Sequence, residues 1–353
     1  MTTRREFMRG AAGAMAGVAF VGCQFTTTHV HAQQAARRRE VVVSGRRVKT
    51  VDVHAHCAFP EAMALMGLKV NPATLVLGDE RIKAMDAQGV DVEALSINAY
   101  WYKAERDLAQ QVVKLQNEKL AELCAAQPDR FVAFASVALQ HPDLAAEQLE
   151  HGVKKLGLRG AAIGSNVNGE ELADPKFHPF WKKAEELGCL VFIHPTGGAE
   201  FEKRLKGSGG LTNVIGNPLE TTIALSHLIF EGTLDRFPGL KICAAHGGGY
   251  LPSYAARSDA GCVTFPDRCT VALKKKPTEY LRQLYYDSIV FTPQALRHLA
   301  AEVGASQILM GTDHPFPWSK AAVDHILGTP DLSDAERAAM LGGTAASLLG
   351  LNS

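Results

Sequence analysis

Short apolar runs alternate with longer amphipathic stretches through most of the chain, and this alternation restricts the possible folds more than any other feature. The apolar runs have the length of buried strands, whereas the stretches between them, such as 79–88 and 104–126, carry apolar residues at helical spacing. The strands are predicted at 51–56, 92–97, 131–137, 158–163, 189–193, 240–245, 284–290 and 308–311. Further helices are predicted at 144–156, at 175–187 and from about 218 to 235.

Eight strand candidates separated by helices favour an α/β fold of the (β/α)8 TIM-barrel type. A doubly wound open sheet is the alternative. No glycine-rich phosphate-binding fingerprint follows the first strand, which makes the open sheet the weaker prediction.

The first predicted strand carries two histidines two residues apart, His54 and His56. Side chains alternate along a strand, so these imidazoles should share one face and Val51, Val53 and Ala55 the other. Two imidazoles held in parallel at a strand end can ligate one divalent cation.

Three other polar residues end predicted strands: His194 the fifth, His246 the sixth and Asp313 the eighth. In a barrel, the carboxyl ends of all strands meet at the face where catalytic residues gather. Three imidazoles and one aspartate would form a mixed nitrogen and oxygen set suited to Zn²⁺, with Mn, Fe or Co as alternatives.

This order of residues resembles that of the amidohydrolase superfamily. The similarity is closer to its amidohydrolase-2 branch, typified by α-amino-β-carboxymuconate-ε-semialdehyde decarboxylase. Short sequence motifs at 81–86, 216–222, 236–242 and 245–249 also match that branch. The resemblance covers roughly residues 50–349.

The resemblance implies roles for individual residues. The implied metal ligands are His54, His56, His194 and Asp313. His246 matches a histidine that does not bind the metal and acts as acid/base on the metal-bound water. One metal ion is expected, most simply Zn²⁺, because the segment 159–163 has no lysine to bridge a second.

Two arginines match substrate-binding positions in that branch. Arg81 matches a carboxylate-binding arginine, and Arg257 matches one that reaches the substrate across a homodimer interface. Leu77 stands where the decarboxylase carries another arginine, so the particular substrate is left open. Tyr100, Trp101 and Tyr102 are expected either to form an aromatic wall over the substrate or to pack between loops.

The function implied is that of a metal-dependent decarboxylase, a carbon–carbon lyase, acting on a small carboxylated aromatic or muconate-like acid. A hydrolase of an amide, lactone or carbon–carbon bond could use the same residues. A binding protein without turnover is disfavoured because no ligand of the set is missing.

The first 32 residues have the form of a twin-arginine export signal. Arg4 and Arg5 precede a small apolar run that is too short to span a membrane. Cleavage after Ala32 would leave a lead-in at 33–50 and a single catalytic domain at 51–353, with a periplasmic location. The pair Gly22 and Cys23 would instead end a lipoprotein signal, but the residues before it fit poorly.

The remainder carries 34 basic and 36 acidic residues, which gives no reason to expect a nucleic acid or a membrane surface as partner. Six cysteines remain and none forms a CxxC pair, so a thiolate zinc site is not predicted. Most should be small buried side chains, although Cys262 and Cys269 could pair in an oxidising compartment.

Overall fold

The computed structural model describes residues 38–69, 75–197, 201, 203–316, 318 and 321–351. Within these residues, parallel strands alternate with helices as the sequence predicts. The strands, β1 to β8, are Val51–His56, Val92–Ser96, Phe131–Ala133, Gly160–Gly164, Leu190–His194, Lys241–Ala244, Tyr285–Asp287 and Ile308–Leu309. The main helices, α1 to α8, are Asp79–Gln88, Arg106–Ala126, Pro142–Lys154, His178–Leu187, Asn217–Phe230, Leu251–Thr264, Pro293–Val303 and Thr344–Leu349. Shorter helices lie at Pro60–Leu65, Thr233–Arg236, Ala322–Gly328 and Asp334–Ala338.

The eight strands close into a ring. Continuous ladders join β1 to β3 and β4 to β8 in chain order. At one joint the backbone N–H of Ala135 donates to the carbonyl of Gly160 at 2.8 Å. At the other the N–H of His56 donates to the carbonyl of His314 at 2.7 Å. The fold is therefore the predicted TIM barrel, and the open sheet is excluded.

Two apolar layers pack on the two faces of this sheet. The inner cluster fills the barrel and includes Phe134 and Phe192, whose rings stack 6.0 Å apart, with Leu349 of α8. The outer cluster fills the space between strands and helices and includes Leu95 of β2 and Leu120 of α2. Alternate residues of β5 go to the two clusters, as a strand buried on both faces requires.

The alternation predicted for β1 is wrong in part. Ala55 packs in the outer layer as expected, but Val51 and Val53 belong to the inner cluster, the side on which His54 contacts Phe192. The register of β1 against β2 shifts between Asp52 and Ala55, and this irregularity resets which side chains face inward.

Glycines end several helices where the sequence places them. Gly89, with φ 78°, ends α1, and Gly188, with φ 59°, ends α4. The predicted helix at 218–235 is instead two helices, because Gly232 with φ 74° separates α5 from Thr233–Arg236. Most strands are shorter than predicted, and that predicted at 131–137 ends at Ala133.

The predicted export signal lies outside the described residues. The end of the predicted lead-in is described, and it forms a hairpin of Val42–Val43 and Arg46–Arg47. Arg47 pairs with Asp91 at 2.9 Å. None of the helices described combines the length and the apolar character that a bilayer span would need.

Candidate metal centre

The two histidines of β1 point to one place at the carboxyl end of the barrel. Both side chains are buried, and their Nε2 atoms lie 3.0 Å apart. Oδ1 of Asp313, beyond β8, lies 3.2 Å from Nε2 of His54 and 3.1 Å from Nε2 of His56. The ring of His194, at the end of β5, has its centroid 4.6 Å from that of His56.

The four predicted ligands are thus brought together. One ligand atom from each residue of the set lies within 4.8 Å of every other. Two buried atoms of the set, Oδ1 of Asp313 and Nδ1 of His194, have no hydrogen-bond partner in the described part of the chain. An orphaned carboxylate oxygen beside two imidazole nitrogens fits a divalent cation between them.

Hydrogen bonds on the far side of each β1 histidine favour ligation through Nε2. Nδ1 of His56 lies 3.0 Å from Oγ of Ser96, whose hydroxyl donates to the carbonyl of Ala55 and so accepts from the ring. Nδ1 of His54 lies 2.6 Å from Oδ2 of Asp287. With the proton on Nδ1, the Nε2 lone pair of each ring is available to a metal ion.

The electrostatics of these groups are unequal. Burial opposes a charge on His54, but the carboxylates of Asp313 and Asp287 outweigh it and raise its pKa to about 10. Burial lowers the pKa of His56 to about 4 and that of His194 well below its usual value. Burial would raise the pKa of Asp313, but the imidazoles around it hold that pKa far below its usual range. The metal-free site therefore favours one proton on His54, which a cation would displace.

His246 stands beside this set but outside it. Its Nε2 lies 3.9 Å from Oδ2 of Asp313, and its side chain retains 14% of its exposure. Strict alternation from the buried Ala245 would turn His246 away from the barrel interior. The left-handed backbone at His246, with φ 55°, brings the ring to the site, with its centroid 5.2 Å from that of His54.

Asp287, at the end of β7, is the site residue that the sequence analysis missed. It is fully buried and contacts both His54 and the backbone of His246. Its position was its only signal: it is an acidic residue at the end of a predicted strand whose neighbours on both sides supply site residues.

The two predicted substrate-binding arginines are not part of the cluster. Arg81 is buried and its Nε donates to Glu93 at 2.6 Å, while Nη1 donates to the carbonyl of His56 at 2.6 Å. Glu93 also contacts Nδ1 of His314 at 2.7 Å. Arg81 thus links α1 to β2 and to the end of β1, while its buried Nη2 has no hydrogen-bond partner in the described part of the chain. Arg257 is exposed on α6.

A cavity of about 1350 Å³ opens onto the cluster and is lined by His194 and Asp313. Its walls include Tyr100, Tyr102 and Phe316. Trp101, by contrast, is fully buried and donates to the carbonyl of Val137 at 2.9 Å. The predicted aromatic wall is therefore formed by two of its three residues, while the third packs between loops.

Comparison with known proteins agrees with this geometry. A family model described as Amidohydrolase matches residues 51–351. The chain therefore belongs to the amidohydrolase family, in the amidohydrolase-2 branch. It is 34% identical over 281 residues to 2-amino-3-carboxymuconate-6-semialdehyde decarboxylase of Dictyostelium discoideum, covering 78% of this chain and 77% of that protein.

Solved structures give the same picture. The crystal structure of 5-carboxyvanillate decarboxylase from Sphingomonas paucimobilis is 26% identical, with a TM-score of 0.79 over 86% of this chain and 100% of that one. A dihydroxybenzoic acid decarboxylase from Polaromonas sp., solved with bound manganese and the inhibitor 2-nitroresorcinol, is 28% identical. Its TM-score is 0.77, over 87% of this chain and 98% of that one.

Proposed function

We propose that this chain is a metal-dependent decarboxylase acting on a small carboxylated aromatic or muconate-like acid. The observation that carries the proposal is the convergence of His54, His56, His194 and Asp313, with His246 alongside, next to a large cavity that His194 and Asp313 line. The family membership and the named activities of the relatives support decarboxylation over hydrolysis, the alternative for the same site.

One divalent ion per chain would be held by those three imidazoles and one carboxylate. Zn²⁺ suits this donor set. The manganese in the Polaromonas relative makes Mn²⁺ the other ion to test. When bound, such an ion acts as a Lewis acid that stabilises negative charge developing on the substrate.

Protein groups would supply the proton and the surroundings. Decarboxylation breaks the bond between the carboxyl carbon and its neighbour, which keeps the electron pair and then takes up a proton. We propose His246 as the donor of that proton from Nε2, because it lies 3.9 Å from Oδ2 of Asp313 without belonging to the ligand set. Tyr100 and Phe316 would contact the planar part of the acid.

The test is product analysis with metal-loaded enzyme. Purified protein is incubated with a panel of carboxylated aromatic and muconate-like acids, and CO₂ release is measured against addition of water. Stoichiometric CO₂ with loss of one carboxyl group supports the proposal. Water addition to an amide, lactone or carbon–carbon bond without CO₂ would establish the hydrolase instead.

Binding of the substrate carboxylate by Arg257 of a second copy remains part of the proposal. The α6 surface that carries Arg257 also exposes Tyr254 and Val263, with 69% and 84% of their area accessible. Such apolar exposure supports a homodimer contact there. Arg81 likewise keeps its proposed role in carboxylate binding, since Glu93 and the carbonyl of His56 engage Nε and Nη1, whereas its buried Nη2 has no hydrogen-bond partner in the described part of the chain.

Export by the twin-arginine route to the periplasm is likewise proposed. The disulfide between Cys262 and Cys269 supports it, because such bonds persist in oxidising compartments. The proposed route carries folded proteins, so metal and fold would be acquired before export. Changing Arg4 and Arg5 to Lys should leave active enzyme in the cytoplasm. A double variant that still reaches the periplasm would contradict the proposal.

A further inference from the structure

Asp287 accepts four hydrogen bonds and has no exposed surface. Oδ2 lies 2.6 Å from Nδ1 of His54 and accepts from the backbone N–H of His246 at 2.8 Å. Oδ1 accepts from the N–H of Gly247 at 2.9 Å and of Ile289 at 3.0 Å. One carboxylate therefore joins a candidate metal ligand to the turn that carries the candidate proton donor.

Each of these four contacts requires a carboxylate oxygen of Asp287 as the acceptor. Backbone N–H groups can only donate, so three of the four partners fix both oxygens of Asp287 as acceptors. With Asp287 ionised, the fourth partner, Nδ1 of His54, supplies the proton of its contact with Oδ2. This assigns His54 to the tautomer that leaves Nε2 free for a metal ion.

The same carboxylate holds an unfavourable backbone. His246 adopts φ 55° and Gly247 φ 62°, and the left-handed region is unfavourable for a residue with a side chain, such as His246. The two N–H groups of this turn both point to Asp287, which binds them as an anion binds a concave backbone site. Without that anion the turn would lose its main polar anchor.

We infer that Asp287 is a positioning residue that sets two things at once: the tautomer of His54 and the placement of His246 beside the metal centre. The inference rests on the proposed function only for the role of His246. The effect of Asp287 on His54 concerns metal affinity, and it holds whatever reaction the site performs.

Asp287→Asn is the discriminating variant, because it keeps the shape and removes one acceptor. An amide nitrogen at the Oδ2 position would face His54 and the N–H of His246, and at the Oδ1 position it would face two backbone N–H groups. We expect Zn²⁺ affinity to fall about 10–100-fold. At saturating metal, kcat for decarboxylation of the acid substrate should still be reduced, with KM little changed, because His246 is displaced from its position.

Asp91→Asn is the matched control. Asp91 is also a buried aspartate, and it accepts from the N–H of Thr50 and pairs with Arg47 just before β2, at the opposite end of the barrel. This variant should lose stability but keep wild-type Zn²⁺ affinity. Unchanged metal affinity and unchanged kcat in a folded Asp287→Asn protein would overturn the inference.

A measurement on the wild-type chain covers the case in which Asp287→Asn does not fold. Protein labelled with ¹⁵N-histidine and loaded with Zn²⁺ should show His54 protonated at Nδ1, with that proton shifted downfield by the carboxylate. A His54 ring without a proton at Nδ1 would overturn the inference. If these results hold and no acid is decarboxylated, only the proposed function fails.

Discussion

The Nε2 atom of His246 lies 3.9 Å from Oδ2 of Asp313, whereas Oδ1 of that carboxylate lies within 3.2 Å of Nε2 of both His54 and His56. One oxygen of Asp313 thus faces the ligands His54 and His56, and the other faces His246. This division separates residues expected to bind a metal ion from one expected to move a proton.

Replacing His246 and replacing His194 should therefore have different consequences. His246→Ala should keep its metal and fold but lose about 10²–10⁴-fold in rate, as expected for loss of a general acid/base. His194→Ala should lose metal and turnover together. Metal analysis beside steady-state rates makes the comparison. Metal-free His246→Ala protein would show instead that His246 is a ligand.

Metal affinity should depend on pH in a defined direction. The pKa of His54 in the metal-free site is about 10, so this ring is protonated at neutral pH and must lose its proton to ligate. Affinity should rise with pH, by about tenfold per unit below pH 10, with roughly one proton released per ion bound. Calorimetric titrations in buffers of different ionisation enthalpy would count the proton. Affinity that is flat between pH 6 and about 9 would contradict the assignment.

Three of the four unpaired cysteines in the described part of the chain are buried and should resist alkylation. Burial raises the pKa of Cys57 to about 12 and that of Cys189 to about 11, and it raises the pKa of Cys243 well above its usual value. Since only the thiolate reacts, iodoacetamide at about pH 8 should leave all three unmodified in the native protein and label them after unfolding. Peptide mass analysis before and after denaturation makes the measurement. Rapid native labelling of Cys189 would show that β5 opens at its start.

The glycine turn after β6 should not tolerate a side chain. An added Cβ at Gly249 would lie 2.0 Å from the carbonyl oxygen of Pro218, and its φ is 66°. Gly249→Ala should lower the free energy of unfolding by more than about 1–2 kcal/mol, the conformational cost alone. Gly261→Ala, in α6 with no atom within 4 Å of the new Cβ, should instead raise it by about 0.4–1 kcal/mol. Denaturant titrations compare the two, and equal effects would contradict the packing described.

Asp313→Ala tests whether the site depends on its carboxylate. This change removes the sole anionic member of the ligand set and leaves three imidazoles. We expect loss of metal binding or of turnover, whereas wild-type protein should hold one ion per chain. Two ions per chain in the wild type, or full activity without metal, would rule out the single-site interpretation.

Much of this organisation is determined by the sequence alone. Buried strands and amphipathic helices have local periodicities, so their alternation predicts a barrel, and a barrel brings every strand end to one face. That is why His54, His56, His194, His246 and Asp313 could be placed at one end of the barrel from the sequence, whereas their division into four metal ligands and one acid/base came from the resemblance to the amidohydrolase-2 branch. Helix ends at Gly89 and Gly188 were predictable for the same local reason.

Tertiary structure decided what depends on contacts between distant segments. The buried pair of Arg81 with Glu93 fixes a predicted substrate ligand against β2, a contact that sequence could not reveal because the partner comes from a neighbouring strand. The register shift in β1 changed which side chains face inward, since it arises from pairing with β2. Asp287 acquires its role only when β7 lies beside β1 and the turn after β6. There its carboxylate meets the ring of His54, the backbone N–H groups of that turn and the N–H of Ile289.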